Sequence, residues 1–436
     1  MAETGGVCHA GVIMPRRLIC IEGADQGRTF WLPEAGTLLI GSSHRHADIA
    51  LNDMWVKRTH CHVKVDGDLV FLTRVESHET LVNKVSITET TLTLGDVIRI
   101  GNSQLRYEMA EQAEPAADEP VAIGELLPDE PEFEIVEEAD GPEFPRKVPI
   151  EELAQHRFNH YQIEAALGQG QSGVVFRALD LKTRQHVALK LLTPDFPQGE
   201  PEMQQFIRAV KTGLKLKHPN LISYLGAGRT GQYCWIAMEY VEGETVAEVI
   251  ERISDGRKIR WKRALHVGLD LSAALEYLAK QQIVHGNITP LNIIIQKPER
   301  TARLGDVLLR SALESSKVAA AILKKKALAT LPYRAPEQLD PDHKPDALTD
   351  LYALGAVLYA LLTGHPPFHG QSASEIEAAI RDSHPERPSH AQRGIPPRMQ
   401  AIVLRLLAKR PGDRVRDASE LCEELEAIAE AHDEPE

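Results

Sequence analysis

The sequence predicts a multidomain protein: an all-β sandwich over residues about 16–110, an acidic disordered linker over about 111–150, and an α+β domain over about 151–430. Three observations carry that prediction. Short alternating apolar segments fill the first zone ("RRLICIE", "GTLLIG", "CHVKV", "DLVFLT", "LTLGDVIRIG", "QLRYEM"), and turn residues punctuate them as in a sandwich. The second zone sets 13 acidic residues against Arg146 and Lys147, with several prolines and no periodic apolar face, so it is expected to be solvated and extended. The third begins with strand-like patterns and turns strongly helical, as in "WKRALHVGLDLSAALEYLAKQQ".

Bulk properties narrow the function classes. A chain of 436 residues is too long for one ordinary core. Apolar residues at 43% and charged residues at 26% fit folded, water-soluble domains. A net charge of −14 argues against nonspecific nucleic-acid binding, because a polyanion is repelled. Much of that charge sits in the linker. The first residues contain no continuous apolar core, so no signal peptide is expected. The apolar run "LYALGAVLYALL" is too short for a bilayer span and reads as a buried helix. Cys8, Cys20, Cys61, Cys234 and Cys422 are odd in number and scattered, which fits free thiols in a reducing, cytoplasmic compartment.

The third zone carries an ordered series of motifs. "LGQGQSGVVFRA" places Gly168, Gly170 and Gly173 in a GxGxxG pattern, and Lys190 follows in "VALK". Then come "HPNLISYL", "IAMEYVEGET", "IVHGNITPLNIII", "LGDVLL", "YRAPEQL", "TDLYALGAVLYALLTGHPPF" and "KRPGDR". Over about 270 residues this series resembles the eukaryotic-type Ser/Thr protein kinase fold, with an N-lobe over 151–240 and a C-lobe over 241–430. The resemblance implies ATP and Mg2+ as ligands. The glycines let a turn approach the phosphates closely, and Lys190 pairs with the α- and β-phosphates. Met238 matches the gatekeeper, and the backbone of Glu239 and Val241 matches the adenine-binding edge. Val175, Ala188 and Ile294 match the apolar residues around the adenine ring. Asn292 and Asp306 match the magnesium-holding side chains, whose oxygens suit a hard cation.

The transfer chemistry departs from the family. Its loop reads HRDLKPxN, and here the loop reads His285-Gly286-Asn287-Ile288-Thr289-Pro290-Leu291-Asn292. Asn287 stands where the aspartate takes the proton of the substrate hydroxyl, and an amide is not basic at neutral pH. Loss of a general base typically removes about 10²–10⁴ in rate. Thr289 replaces a lysine that offsets charge on the transferring phosphoryl group, a loss of roughly 10²–10³. Ala209 falls where the helix glutamate pairs with the strand lysine, and Gly286 where an arginine anchors a phosphorylated activation loop. Val307 and Leu308 replace Phe-Gly after Asp306. The regulatory stack of side chains then runs through Gly213, His285 and Val307, and is expected to be loosely packed. Ser311, Ser315, Ser316 and Thr330 are candidate phosphorylation sites, with Lys324, Lys325 and Lys326 as candidate partners.

The first zone resembles a forkhead-associated (FHA) domain, a phosphothreonine-reading sandwich, over about 95 residues. Gly41, Asp48, Ile49, Leu51, Arg58, His60, Thr80, Asn83, Gly95, Asp96 and Gly101 match its pattern. His60 reads as a structural hydrogen-bonder. The phosphate readers have changed: Ser42 replaces an arginine, Lys57 a serine and His78 an asparagine. Arg45, Lys57 and Arg58 supply charge without the family's geometry, which favours protein contact through another surface.

Three functions follow from these resemblances. The first is a signalling pseudokinase that binds nucleotide as a switch or scaffold and contacts protein partners, phosphorylated ones among the candidates. The second is an active, atypical Ser/Thr kinase. The third is an interaction module with an empty pocket.

Overall fold

The computed structural model describes residues 15–109, 133–136 and 156–432, apart from short loop stretches within them and the segment 309–327. Two compact units result, Met1–Leu127 and Pro128–Glu436.

Among the described residues, eleven strands build the first unit: β1 (Arg16–Glu22), β2 (Thr29–Trp31), β3 (Gly36–Gly41), β4 (Ile49–Ala50), β5 (Cys61–Asp66), β6 (Leu69–Arg74), β7 (Thr80–Val82), β8 (Val85–Ser86), β9 (Glu89–Leu92), β10 (Val97–Ile100) and β11 (Ser103–Met109). They form two sheets, in the orders β2-β1-β11-β10-β7-β8 and β4-β3-β5-β6-β9. The period of two in the sequence decides which side is buried. In β5, Cys61, Val63 and Val65 enter the core while His62, Lys64 and Asp66 face out. Leu18, Ile40, Leu72, Ile98 and Leu105 from both sheets complete that core. Asn83 and Lys84 turn the chain between β7 and β8 with φ of +51° and +70°, the left-handed pair that matches strand twist in a two-residue hairpin. The Asn83 side chain reaches Asp96 at 2.7 Å and the Val97 amide at 3.0 Å, tying this turn to the next one.

The second unit contains β12 (Phe133–Val136), β13 (Arg157–Phe158), β14 (Tyr161–Gly170), β15 (Gly173–Asp180), β16 (His186–Leu192), β17 (Tyr224–Thr230) and β18 (Tyr233–Glu239), in the sheet order β12-β17-β18-β16-β15-β14-β13. Strand β12 corrects the expectation of an unbroken solvated linker. It pairs in parallel with β17, Phe133 opposite Ala227 through Val136 opposite Thr230. The run Phe-Glu-Ile-Val has high strand propensity, and an edge strand offers a row of unpaired backbone groups to it.

Helix α1 (Glu200–Lys215) crosses this sheet and buries Met203, Phe206, Ala209, Val210, Gly213 and Leu214, a stripe at helical spacing. Helices α2 (Val246–Ser254) and α3 (Trp261–Lys280) follow. A small sheet of β19 (Gly243–Thr245), β20 (Ile293–Gln296) and β21 (Ala302–Leu304) lies between the lobes' elements. Helix α4 (Ala347–Thr363) is the expected buried helix, capped by Asp346 at its start and ended by Gly364 at φ +86°. Helices α5 (Ala373–Asp382), α6 (Pro388–Ala391), α7 (Pro397–Leu406) and α8 (Ala418–Ala431) surround it.

Two polar anchors hold this helical part, one buried and one partly buried. Arg414, with a fully buried side chain, donates to both carboxylate oxygens of Glu337 at 2.6 and 2.7 Å and lies over the Tyr352 ring. Replacing Arg414 with Met strands the Glu337 charge, and urea unfolding should show a loss of about 3–5 kcal/mol. Asp270 on α3 accepts from the Ala302 amide at 2.7 Å, and burial pushes its carboxyl up to about 7. The folded state therefore keeps a proton that the unfolded chain releases near pH 4. Stability from this group is full below that value and lost as pH rises to about 7. The unfolding free energy of wild type minus that of Asp270→Asn should fall between pH 4.5 and 7, and a flat difference would contradict this.

Candidate functional site

The site is assembled where the β14–β15 hairpin, β16, β18 and the loops around β20 and β21 meet. In the hairpin Gly168 pairs with Val175 and Gly170 with Gly173. Gly173 has φ +147°, and a Cβ there would lie 1.9 Å from the Leu191 carbonyl oxygen, so only glycine fits. Val175, Ala188 and Ile294 are partly buried and pack against the same apolar cluster as Met238 and Val241. The structure thus brings Val175, Ala188, Ile294 and Met238 to one apolar cluster, together with Val241, which the sequence assigned only for its backbone. Glu239 donates its backbone N–H to Ser223 O at 2.9 Å, and its carboxylate meets Arg303 at 2.7 Å.

Lys190 is buried and its Nζ donates to Asp306 Oδ2 at 2.6 Å. Helix α1 presents Ala209 where a carboxylate is missing, and Asp306 is the ion-pair partner that holds the lysine. Asn292 ends a short turn that brings its carbonyl to the Gly305 amide at 2.8 Å. Its Nδ2 donates to the Asn287 carbonyl at 2.8 Å, so its Oδ1 is the atom that could hold a cation.

The loop that carries Asn287 is built on Asp350 of α4. Buried Asp350 accepts from the amides of His285 at 2.8 Å and Gly286 at 2.7 Å. Burial raises its carboxyl above the usual range, and the two amides and the nearby His285 oppose that. His285 Nδ1 accepts from the Asn287 amide at 3.2 Å, so its Nε2–H faces Gly305 O at 2.9 Å, and one neutral tautomer satisfies both. Asn287 is exposed, whereas Thr289 is buried. The expected loose stack at Gly213, His285 and Val307 is corrected by Tyr224. Its ring fills the space at Gly213, and its hydroxyl donates to Val307 O at 2.5 Å. Burial, and then the charge of Asp306, raises the Tyr224 hydroxyl well above the usual range, so it stays a donor.

Asp350, Glu337 and Tyr224 went unassigned in the sequence. Their signals were local: an aspartate opening "DLYALG", a glutamate in "APEQL", and a tyrosine six residues after His218. In the first unit, the Ser42 amide donates to Lys57 O at 2.9 Å and the Lys57 amide to His60 Nδ1 at 3.1 Å. Buried His60 also bonds Glu79 O at 3.2 Å, which makes it the structural hydrogen-bonder expected. Arg45, Arg58 and His78 lie outside the described residues, as do Ser311, Ser315, Ser316 and Lys324–Lys326.

A strand-rich lobe with a glycine hairpin and buried lysine, joined to a helical lobe carrying Asn292 and Asp306, is the layout of a protein kinase domain. A family model of that domain matches residues 161–425, and the chain belongs to the protein kinase family. The Ser/Thr-protein kinase PknB of Mycolicibacterium smegmatis is 30% identical over 280 residues, covering 63% of this chain and 44% of the relative. A probable Ser/Thr-protein kinase of Clostridium perfringens is 28% identical over 270 residues, covering 62% of this chain and 38% of the relative. The chain is thus of Ser/Thr kinase type and spans about two fifths of the length of these relatives. The crystal structure of a cysteine mutant of the Mycobacterium tuberculosis PknI kinase domain shares the fold, with TM-score 0.50 and 21% identity over 63% of this chain and 98% of that one. Residues 20–111 match the family described as the cytoplasmic domain of the inner-membrane component of type III secretion systems, and this N-terminal unit is FHA-like. Among the described residues no helix is long and apolar enough to cross a membrane.

Truncating Asp350 to Ala leaves two buried amides without an acceptor. Urea unfolding should register a loss of about 2–6 kcal/mol, from roughly 1–3 kcal/mol per unsatisfied group.

Proposed function

We propose that this chain is a signalling pseudokinase, a nucleotide-binding switch or scaffold whose FHA-like unit contacts protein partners in the cytoplasm. The observation that carries the reading is the split at the site. Supporting the nucleotide side are the Lys190–Asp306 pair, the Asn292 carbonyl on the Gly305 amide, and the apolar cluster around Met238. On the transfer side, Asn287 carries an amide and Thr289 is buried. An amide accepts a hydrogen bond but does not take a proton at neutral pH.

The residues present fit ATP with Mg2+. Val175, Ala188, Ile294 and Met238 give a purine apolar walls, with the Glu239 carbonyl and Val241 amide at its polar edge. Gly168, Gly170 and Gly173 admit phosphates close to the backbone, and Lys190 offers them a point charge. Asn292 and Asp306 supply the oxygen donors a hard cation selects. When bound, magnesium offsets phosphate charge; this chain's own residues bind and orient.

One observation favours the active-kinase reading. Asp350 keeps the loop in a hydrogen-bonded form, so a bound hydroxyl could be aligned by proximity alone. Incubation of the full chain with ATP and Mg2+, beside Asp306→Asn, separates the readings. The expected result is no added phosphate by intact mass, with the kinase-unit melting transition raised. At about 100 times the dissociation constant the ligand adds about 2.7 kcal/mol, and Lys190→Met should remove most of that shift. Phosphate on wild type alone establishes an enzyme. No shift at saturating ATP leaves an interaction module.

A further inference from the structure

The segment Gly305-Asp306-Val307 is held at successive backbone positions. The Gly305 amide donates to Asn292 O at 2.8 Å, His285 Nε2 meets Gly305 O at 2.9 Å, and the Tyr224 hydroxyl donates to Val307 O at 2.5 Å. Asp306 itself stands at φ +60°, a left-handed conformation that a non-glycine residue keeps only when its surroundings impose it. His285, Tyr224 and Val307 are all buried, so water does not replace these bonds.

Tyr224 can occupy this place because α1 has no side chain opposite it. A Cβ on Gly213 would lie 2.7 Å from two carbons of the Tyr224 ring. Aromatic bulk on β17 and its absence on α1 are therefore one packing solution. The ring fills the gap left by Gly213, and its hydroxyl ends at the carbonyl of Val307, the residue after Asp306.

We infer that Tyr224 is the positioning residue of the Asp306 segment, working as a pair with Gly213. It holds the segment from within the folded unit, with no carboxylate at Ala209 and no arginine at Gly286. The ligand-binding form of Asp306 is then a standing feature of the fold, independent of loop phosphorylation. Its consequence for ligands rests on the nucleotide-binding reading; the positioning itself does not.

Tyr224→Phe in the full chain keeps the ring and removes only the donor. Calorimetric titration with Mg·ATP and with adenosine, and hydrogen exchange of amides 305–308, form the test. Mg·ATP affinity should fall about three- to tenfold, the size of one hydrogen bond, while adenosine affinity stays constant because adenosine does not reach Asp306. Exchange at 305–308 should quicken while α4 keeps its protection. Parallel loss of both ligands, or unchanged exchange, overturns the inference. If wild type binds no Mg·ATP and the variant still exchanges faster at 305–308, the nucleotide reading fails and the positioning role stands. Gly213→Ala supplies a second route: its Cβ displaces the ring, and the same amides should loosen. Unaltered exchange there would also count against the pair.

Discussion

The carboxylate of Asp350 is the fixed point of the kinase unit. A buried carboxylate is costly to ionise unless donors surround it, and here the donors are the amides of His285 and Gly286. That requirement bends the loop back onto α4. Gly286 meets it at φ +68° without strain, at the position where the family carries an arginine. His285 is thereby oriented so that its second nitrogen reaches Gly305 O, and the Gly305 amide in turn donates to Asn292 O. One buried carboxyl group thus sets the geometry of three segments distant in sequence. The scaffold of a catalytic loop persists even though the residue it displays is Asn287.

A second constraint is charge balance in the slot. Buried Lys190 needs an anion, and α1 offers Ala209 there. Asp306 meets that need by pairing with the lysine. Coulombic attraction at this distance is strong in a partly dry site, which ties β16 to the Asp306 segment directly. Arg303 plays a comparable part at the rim by holding the Glu239 side chain.

The FHA-like unit shows the same division between frame and reader. His60 links two loops through Lys57 and Glu79, and Asn83 links two turns through Asp96 and Val97. These bonds stabilise the ends of strands, where the sandwich core cannot reach. Ser42 and Lys57 contribute backbone groups to that frame, whatever their side chains recognise.

Periodicity and spacing determined the strands of the sandwich, the buried α4 and the order of the kinase motifs, because those signals repeat within a few residues of chain. They also determined which groups can do chemistry: an amide at Asn287 is no base in any fold. What only the tertiary structure decided are the pairings across sequence. Asp350 with His285, Glu337 with Arg414, Lys190 with Asp306 and Tyr224 with Gly213 each join residues from different elements, and no local pattern pairs them. The stack at Gly213 and Val307 looked empty because a gap is visible in sequence while its filler comes from another strand. Strand β12 was missed for a related reason. Its four residues are too few to outweigh an acidic segment, and the edge of β17 that receives them exists only once the sheet has formed.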